Sequence, residues 1–257
     1  MADIILKNID FFYPDKPQII LSDVNLTIPD NGITVVLGAS GCGKTSLLNI
    51  VAGFLSPSGG EITQDGKIIY GPASDRAVVF QNDALMPWLN VYENVALGLQ
   101  IKNSGKQEET AIVKEKLQDT GLLHVITDNI WSLSGGMRQR VGIARALAIE
   151  SDFILMDEPF GALDAANREQ MQSLILTLKK NRQSAFFIIT HDIEETLLLA
   201  TNLILMAPNP GRIISVEEPP FYKHWSDGMT IRQIKSDQSF IHYRDYLSDK
   251  IMAHKCS

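Results

Sequence analysis

The chain has 257 residues, 45% of them hydrophobic, enough for one extended core or two linked lobes. Its 30 acidic side chains against 23 basic ones leave a net charge of −7 with no basic cluster, which argues against gripping DNA or RNA backbone. No apolar stretch approaches the roughly eighteen residues needed to cross a bilayer, and no signal peptide, internal repeat or low-complexity run is visible, so the chain is not expected to form a pore itself.

Taken in chain order, Ile4-Ile5-Leu6, Val24 to Ile28 and Gly59 to Ile62 read as a small antiparallel sheet. Inside that stretch, the β-branched run Ile33 to Leu37 predicts a strand, followed by the loop Gly38-Ala39-Ser40-Gly41-Cys42-Gly43-Lys44-Thr45 and a helix from Ser46 to Gly53. Gly38, Gly43, Lys44 and Thr45 fit the pattern G-x-x-x-x-G-K-[ST] between strand and helix, the context that motif requires. Its glycines let backbone N–H groups curl into a phosphate nest, and the helix dipole points at the same spot. Lys44 supplies a charge for the β- and γ-phosphates of ATP, and the Thr45 hydroxyl is placed to ligate Mg²⁺. Such a match arises by accident in roughly one chain in a hundred of this length, even before the flanking strand and helix are required. Cys42, near a helix N-terminus, is expected either to be a reactive thiolate or to fill a slot for a small residue. With Cys256 it makes no disulfide framework, and the two fit a reducing compartment.

Arg76 to Phe80 predicts another strand, ending at Gln81. Beyond it helical patterns take over, at Val91 to Ile101 and Lys106 to Thr120, so residues 82–150 read as a helical subdomain inserted into an α/β core. Ser134, Gly135 and Gly136 open a helix running from Met137 to Ile149, and their hydroxyl and free N–H groups make a second anion site. Phe153 to Met156 is a short apolar run suited to a strand buried on both faces, and it ends in Asp157-Glu158-Pro159. Strand ends hold the chemistry of α/β sheets. Asp157 is expected in the Mg²⁺ shell and Glu158 as general base toward the attacking water. Asp164 caps a helix beginning at Ala165, and Ala185 to Thr190 predicts a strand that ends at His191. In the tail, residues 219–257, Ile231 to Asp237 and then Phe240, Tyr243, Leu247 and Ile251 recur at helical spacing.

The string Leu133 to Arg140, LSGGMRQR, resembles the signature of ABC transporter ATP-binding subunits, with Met137 where that family usually carries Gln. The resemblance covers nearly the whole of 1–257 and implies one domain, a P-loop NTPase core of α/β class with an N-terminal antiparallel β subdomain and the helical signature subdomain. It implies that the signature of one copy closes on the γ-phosphate held by another, giving a head-to-tail homodimer around two ATP. It also implies the remaining roles: Gln81 reaching Mg²⁺ or the attacking water, His191 touching the γ-phosphate and orienting Glu158, Asp164 on the dimer seam, and an aromatic near the N-terminus stacking on adenine, with Tyr13 favoured over Phe11 and Phe12. Ser40, Gly41, Cys42 and Ser46 complete the nucleotide-binding loop by the same likeness. Leu85-Met86-Pro87-Trp88 lies where the family receives a membrane permease. VVFQNDALMPWLNVYENVALGLQ, DEPFGALDAANREQMQ and ITHDIEE are similar to the nitrate, sulfonate and taurine importer group, and the tail is similar to taurine importer ATPases. That implies a peripheral subunit on the cytoplasmic face of the cell membrane, served from outside by a substrate-binding protein, with other alkanesulfonates or nitrate as alternative cargo. A soluble ABC-type ATPase of repair or translation is the other class, but this chain has neither the long coiled coil nor the second ATPase domain of those relatives.

Overall fold

Apolar on both faces, the run from Ile33 forms a strand with every residue buried, β3 (Ile33–Gly38). A strand of this kind belongs in the middle of a parallel sheet, where each Val, Ile or Leu withdrawn from water contributes about 1.5–3 kcal/mol. The computed structural model, which describes residues 2–15, 18–81, 84–161 and 163–255, puts it there. On one side β3 pairs in parallel with β8 (Ala185–Thr190), then β7 (Phe153–Asp157), then β6 (Arg76–Val79). On the other lie β9 (Asn202–Ala207), parallel, and β10 (Arg212–Glu217), an antiparallel edge. Register sets the strand ends level: Leu37 faces Thr190, Asp157 faces Ile189 and Val79 faces Met156. The loops after β3, β8, β7 and β6 therefore open along one rim.

The second sheet is antiparallel, in the order β2-β1-β4-β5, from β1 (Ile4–Phe12), β2 (Ile19–Ile28), β4 (Gly59–Gln64) and β5 (Lys67–Ile68). Its inward residues Ile4, Leu6, Ile9, Leu26 and Ile28 share a core with α1 (Lys44–Val51) and one face of the parallel sheet. The opposite face carries α4 (Gly135–Ala148), α5 (Ala165–Lys180) and α6 (Ile193–Leu199). Between β6 and β7 the described chain is helical: α2 (Val91–Ile101), α3 (Lys106–Asp119), two 3-10 turns and α4 enclose a separate core of Val95, Leu99, Val113, Leu117 and Val141. Asn90 starts α2 with a capping box, its side chain accepting from Glu93 N–H while the Glu93 carboxylate accepts from Asn90 N–H.

The tail forms α7 (Phe221–Ser226), α8 (Ile231–Ser236) and α9 (Gln238–Lys255), and Phe240, Tyr243, Leu247 and Ile251 recur along α9 at the helical spacing read in the sequence. Asp237 makes the break between α8 and α9: its carboxylate accepts the Ser239 N–H at 2.8 Å, a local hydrogen bond that competes with helical continuation and opens α9. Apolar side chains of all three helices still meet the core, through Phe221, Ile234, Phe240 and Leu247. Cys256, Ala162 and Asn82, where the inserted stretch was expected to start, lie outside the described residues.

Candidate nucleotide site

The loop after β3 is shaped by its glycines. Gly41 and Gly43 take φ of +82° and +93°, a region that L-residues avoid, and a Cβ on Gly43 would sit 2.6 Å from Leu21 Cδ2. Nothing lies within 4 Å of a Cβ built on Gly41, so the exposed side of the loop is open. Lys44 is 5% exposed and donates from Nζ to the carbonyls of Gly38 at 2.8 Å and Ala39 at 3.1 Å. A buried ammonium bonded to neutral carbonyls, at a helix N-terminus, is a receptor for an anion. Ser40 and Thr45 are exposed beside it, whereas Ser46 is buried and shares a hydrogen bond with Tyr13 Oη at 3.1 Å. Of the three aromatics near the N-terminus, Phe11 is 4% exposed and packs edge-on against Tyr13, which leaves it no face for a base. Tyr13, tied to the first turn of α1, stays at the loop, while Phe12 is exposed.

Cys42 corrects one expectation. Its thiol is 1% exposed, packed where Sγ would lie 2.7 Å from a Cβ on Gly38. Burial pushes its pKa up, against the Lys44 charge and nearby N–H groups that pull it down. Desolvation outweighs the helix terminus here, so Cys42 fills a slot for a small residue and is no reactive thiolate.

Acids and their partners stand along the same rim. Burial raises the Asp157 carboxyl, helped by the Glu158 charge, while a hydrogen bond with Thr45 and the Lys44 charge oppose it. Glu158 follows at φ +43°, a left-handed conformation that costs a non-glycine residue about 1–3 kcal/mol and is fixed here by a hydrogen bond from its N–H to Ile189 O at 2.9 Å. The turn carries the Glu158 carboxylate away from β7 and toward its neighbours: Oε1 lies 3.1 Å from His191 Nδ1, and Oε2 accepts from Gln81 Nε2 at 3.4 Å. Three loops from three strands thus meet at one carboxylate. One hydroxyl (Thr45), one carboxylate (Asp157) and one amide (Gln81) match the sparse protein share of a Mg²⁺ shell whose other ligands are phosphate and water.

Ser134, Gly135 and Gly136 stand apart, at the N-terminus of α4 on the helical segment. Ser134 is the N-cap, its Oγ accepting from Met137 N–H at 3.3 Å, and both it and Gly135 are exposed. The Met137 side chain packs into the core of the helical segment, so the residue that replaces the usual Gln serves packing. Asp164 caps α5 through the Asn167 N–H at 2.9 Å. The 85–88 segment divides: Leu85 packs inward, whereas Trp88 is 76% exposed on a turn pinned by buried Asn94, which bonds Met86 N–H and the carbonyls of Met86 and Leu89. Sequence reading missed a stacked pair of half-exposed rings, Phe54 and Phe80, 6.1 Å apart, because the two are far apart in the chain. It also missed Thr190, Glu195 and Arg168 behind His191, though Asp192 three residues before Glu195 at a helix start was a visible capping signal.

A glycine nest with a buried lysine, followed along the same parallel rim by acidic, amide and imidazole groups, defines the nucleotide site of a P-loop NTPase. Residues 21–161 match the family described as ABC transporter, and the chain belongs to that family. It is 46% identical over 255 residues to the taurine import ATP-binding protein TauB of Pseudomonas entomophila, covering 99% of this chain and 98% of the relative. To the protein of the same name from Pseudomonas syringae pv. tomato it is 47% identical over 255 residues, with the same coverage. Among solved structures it is similar to cbiO1 from Clostridium perfringens, part of the ABC transporter complex cbiONQ (TM-score 0.79, 27% identity, 93% of this chain and 97% of that one). It is also similar to the ATP-binding cassette MJ0796, seen as a dimer with ADP and Pi (TM-score 0.74, 31% identity, 84% and 98%).

Proposed function

We propose that this chain is the ATP-hydrolysing subunit of a membrane importer for taurine, working as a head-to-tail pair on a permease at the cytoplasmic face of the cell membrane. The observation that carries the catalytic part is the convergence of Gln81 and His191 on the Glu158 carboxylate beside the Lys44 loop. In this reading Glu158 takes the proton of the attacking water, His191 and Gln81 hold its carboxylate in line, and the Lys44 ammonium exchanges its two carbonyls for phosphate oxygens. Tyr13 lies under adenine, and Ser40, Gly41, Cys42, Gly43 and Ser46 give the loop its shape and backbone donors. Mg²⁺ held by Thr45, Asp157 and Gln81 would neutralise charge on the β- and γ-phosphates.

Ser134, Gly135 and Gly136 serve the nucleotide of a second copy, with Asp164 on the seam. What supports this is that α4 offers exposed N-terminal donors with no lysine of its own. ATP then favours the closed pair, because its γ-phosphate has partners in both copies. Each cycle moves the surface of Phe54, Phe80 and Trp88, whose exposed rings suit a helical element of a permease. Among the described residues no helix is long and apolar enough to cross a membrane, so the path for cargo lies in that partner. A substrate-binding protein outside the membrane supplies the cargo.

Taurine follows from the names of the relatives. Deleting the gene is expected to abolish growth on taurine as sole sulfur source, with wild type restoring it and Glu158→Gln failing to. Unimpaired growth on taurine with lost growth on another alkanesulfonate or nitrate would move the cargo. Failure to co-purify with a permease would overturn the importer reading.

A further inference from the structure

Behind His191 lies a polar network, buried at Thr190 and Glu195, that the proposed hydrolytic chemistry does not use. Thr190, the residue before His191, donates from Oγ1 to Glu195 Oε2 at 2.9 Å, a bond wholly within the protein. Asp192, the residue after, donates its N–H to Thr190 Oγ1 at 3.1 Å, and its carboxylate accepts the Glu195 N–H at 3.0 Å. Of the two neighbours of His191, Thr190 is therefore bonded to the Glu195 carboxylate, and Asp192 to the Thr190 hydroxyl and the Glu195 main-chain N–H. From α5, Arg168 reaches the same place: Nε lies 3.6 Å from Glu195 Oε1 and Nη1 lies 3.7 Å from Asp192 Oδ2. Its Nη2 donates to the Leu163 carbonyl at 3.4 Å, and its N–H bonds the Asp164 carbonyl at 2.9 Å. One guanidinium thus touches the turn before α5 and the turn before α6.

We propose that Glu195 is a positioning residue for His191: with Arg168 as counter-charge it locks the turn carrying His191 to the turn carrying Asp164, so that the two loops move as one unit during turnover. The inference rests on the reading of His191 as the orienter of Glu158. Arg168 meets both acids at ion-pair distance without a hydrogen bond, and its Nε has no hydrogen-bond partner, so the link has room to tighten when the turns shift. Glu195 is 4% exposed, and burial, then the Asp192 charge, push its pKa up to about 7, while Thr190, Arg168 and His191 pull the other way. Lys235 of α8 and Arg244 of α9 engage Glu194, the outward neighbour. A carboxyl raised in this way favours the fold below its unfolded value of 4.5, and that contribution is lost as pH rises to about 7. Above that pH the ionised group is costlier to bury than glutamine, so stability measured at pH 8 separates a positioning role from a stabilising one.

The test uses the purified full chain carrying Glu195→Gln, Arg168→Gln, both together, or Thr190→Ser. Glu195→Gln is expected to lower kcat on the order of tenfold with KM for ATP unchanged within about twofold, because misplacing a group that aims the base costs chemistry and spares binding. Its Tm at pH 8 should be no lower than wild type. The double variant should be no slower than the slower single, and Thr190→Ser, which keeps the hydroxyl, should retain wild-type kcat. Imidazole NMR signals of His191, assigned by their absence in His191→Gln, should be shifted or broadened alike in the two single variants. Unchanged kcat, a kcat loss matched by an equal loss of folded protein, additive losses in the double variant, or unmoved His191 signals would each overturn the link. The NMR arm stands even if the wild type fails to hydrolyse ATP, an outcome that would sink the catalytic reading and leave this link decided separately. Should Glu195→Gln not fold, Arg168→Gln carries the same test, its side chain being 37% exposed.

Discussion

Two helices of this chain begin at a phosphate-ready N-terminus, and they are furnished differently. The loop before α1 has a buried lysine, a hydroxyl bonded to an acid, and a rim of strand ends that brings Gln81, Glu158 and His191 within hydrogen-bond or ion-pair reach. The turn before α4 has an exposed serine cap and glycine, on a segment with its own core. In the proposed reading one is a nearly complete catalytic centre and the other is a half-site. The difference teaches that Gln81, Glu158 and His191 are brought together by one sheet, where register fixes their heights, while the turn before α4 stands exposed on a separate segment.

Breaking the catalytic side of that contrast should give the largest effects. Glu158→Gln is expected to cut ATP turnover by about 10²–10⁴-fold while leaving ATP affinity intact and accumulating an ATP-dependent dimer, checked by steady-state hydrolysis and by sizing with ATP and Mg²⁺. Gly43→Ala should lose nucleotide binding and about 1–3 kcal/mol of stability, measured by nucleotide titration and denaturant unfolding, since φ +93° and the Leu21 contact both exclude a side chain. Cys42 sharpens the comparison. Site-resolved alkylation should find it slow in the folded protein and fast after unfolding, and rapid labelling of the native chain would show that the loop opens more than its packing allows.

The smallest effect belongs to the contact between β10 and the tail. Burial works to raise the Glu217 carboxyl, but hydrogen bonds from Lys250 at 2.8 Å, Tyr243 at 2.7 Å and Ser215 at 2.9 Å bring it below the usual value. Its stabilisation is present above the unfolded value near 4.5 and lost as pH falls through the lower folded value. Glu217→Gln should therefore lower Tm modestly at pH 7 and little at the acid end, with hydrogen exchange faster in α9 than in β3.

What was legible in the sequence follows from locality. The loop motif, the buried strands and the helix spans over 91–101 and 106–119 are written in consecutive residues, and the observed elements match them within a residue or two. Legibility failed where one side chain overrides the pattern or where packing across the chain decides. Asp237 divides α8 from α9 with a single local hydrogen bond that the apolar spacing on either side does not reveal. Cys42 sits at a helix N-terminus, yet the walls that desolvate it, including Met206 of β9 in the same core, come from distant strands. The convergence on Glu158 was open to sequence only through family likeness, because it depends on the parallel register of three strands.

The claim that the signature is a half-site for a second copy meets its most direct test in covalently linked pairs carrying Lys44→Ala and Ser134→Arg, with labelled nucleotide trapped in the closed state as the readout. Placing both substitutions in one copy should damage both sandwiches, since its loop fails in one and its signature in the other. Dividing them between the copies should put both lesions on the same nucleotide and leave one sandwich intact, so the divided pair should trap more nucleotide. Equal trapping in the two arrangements would contradict a signature that acts on the partner's nucleotide and assign it to its own chain.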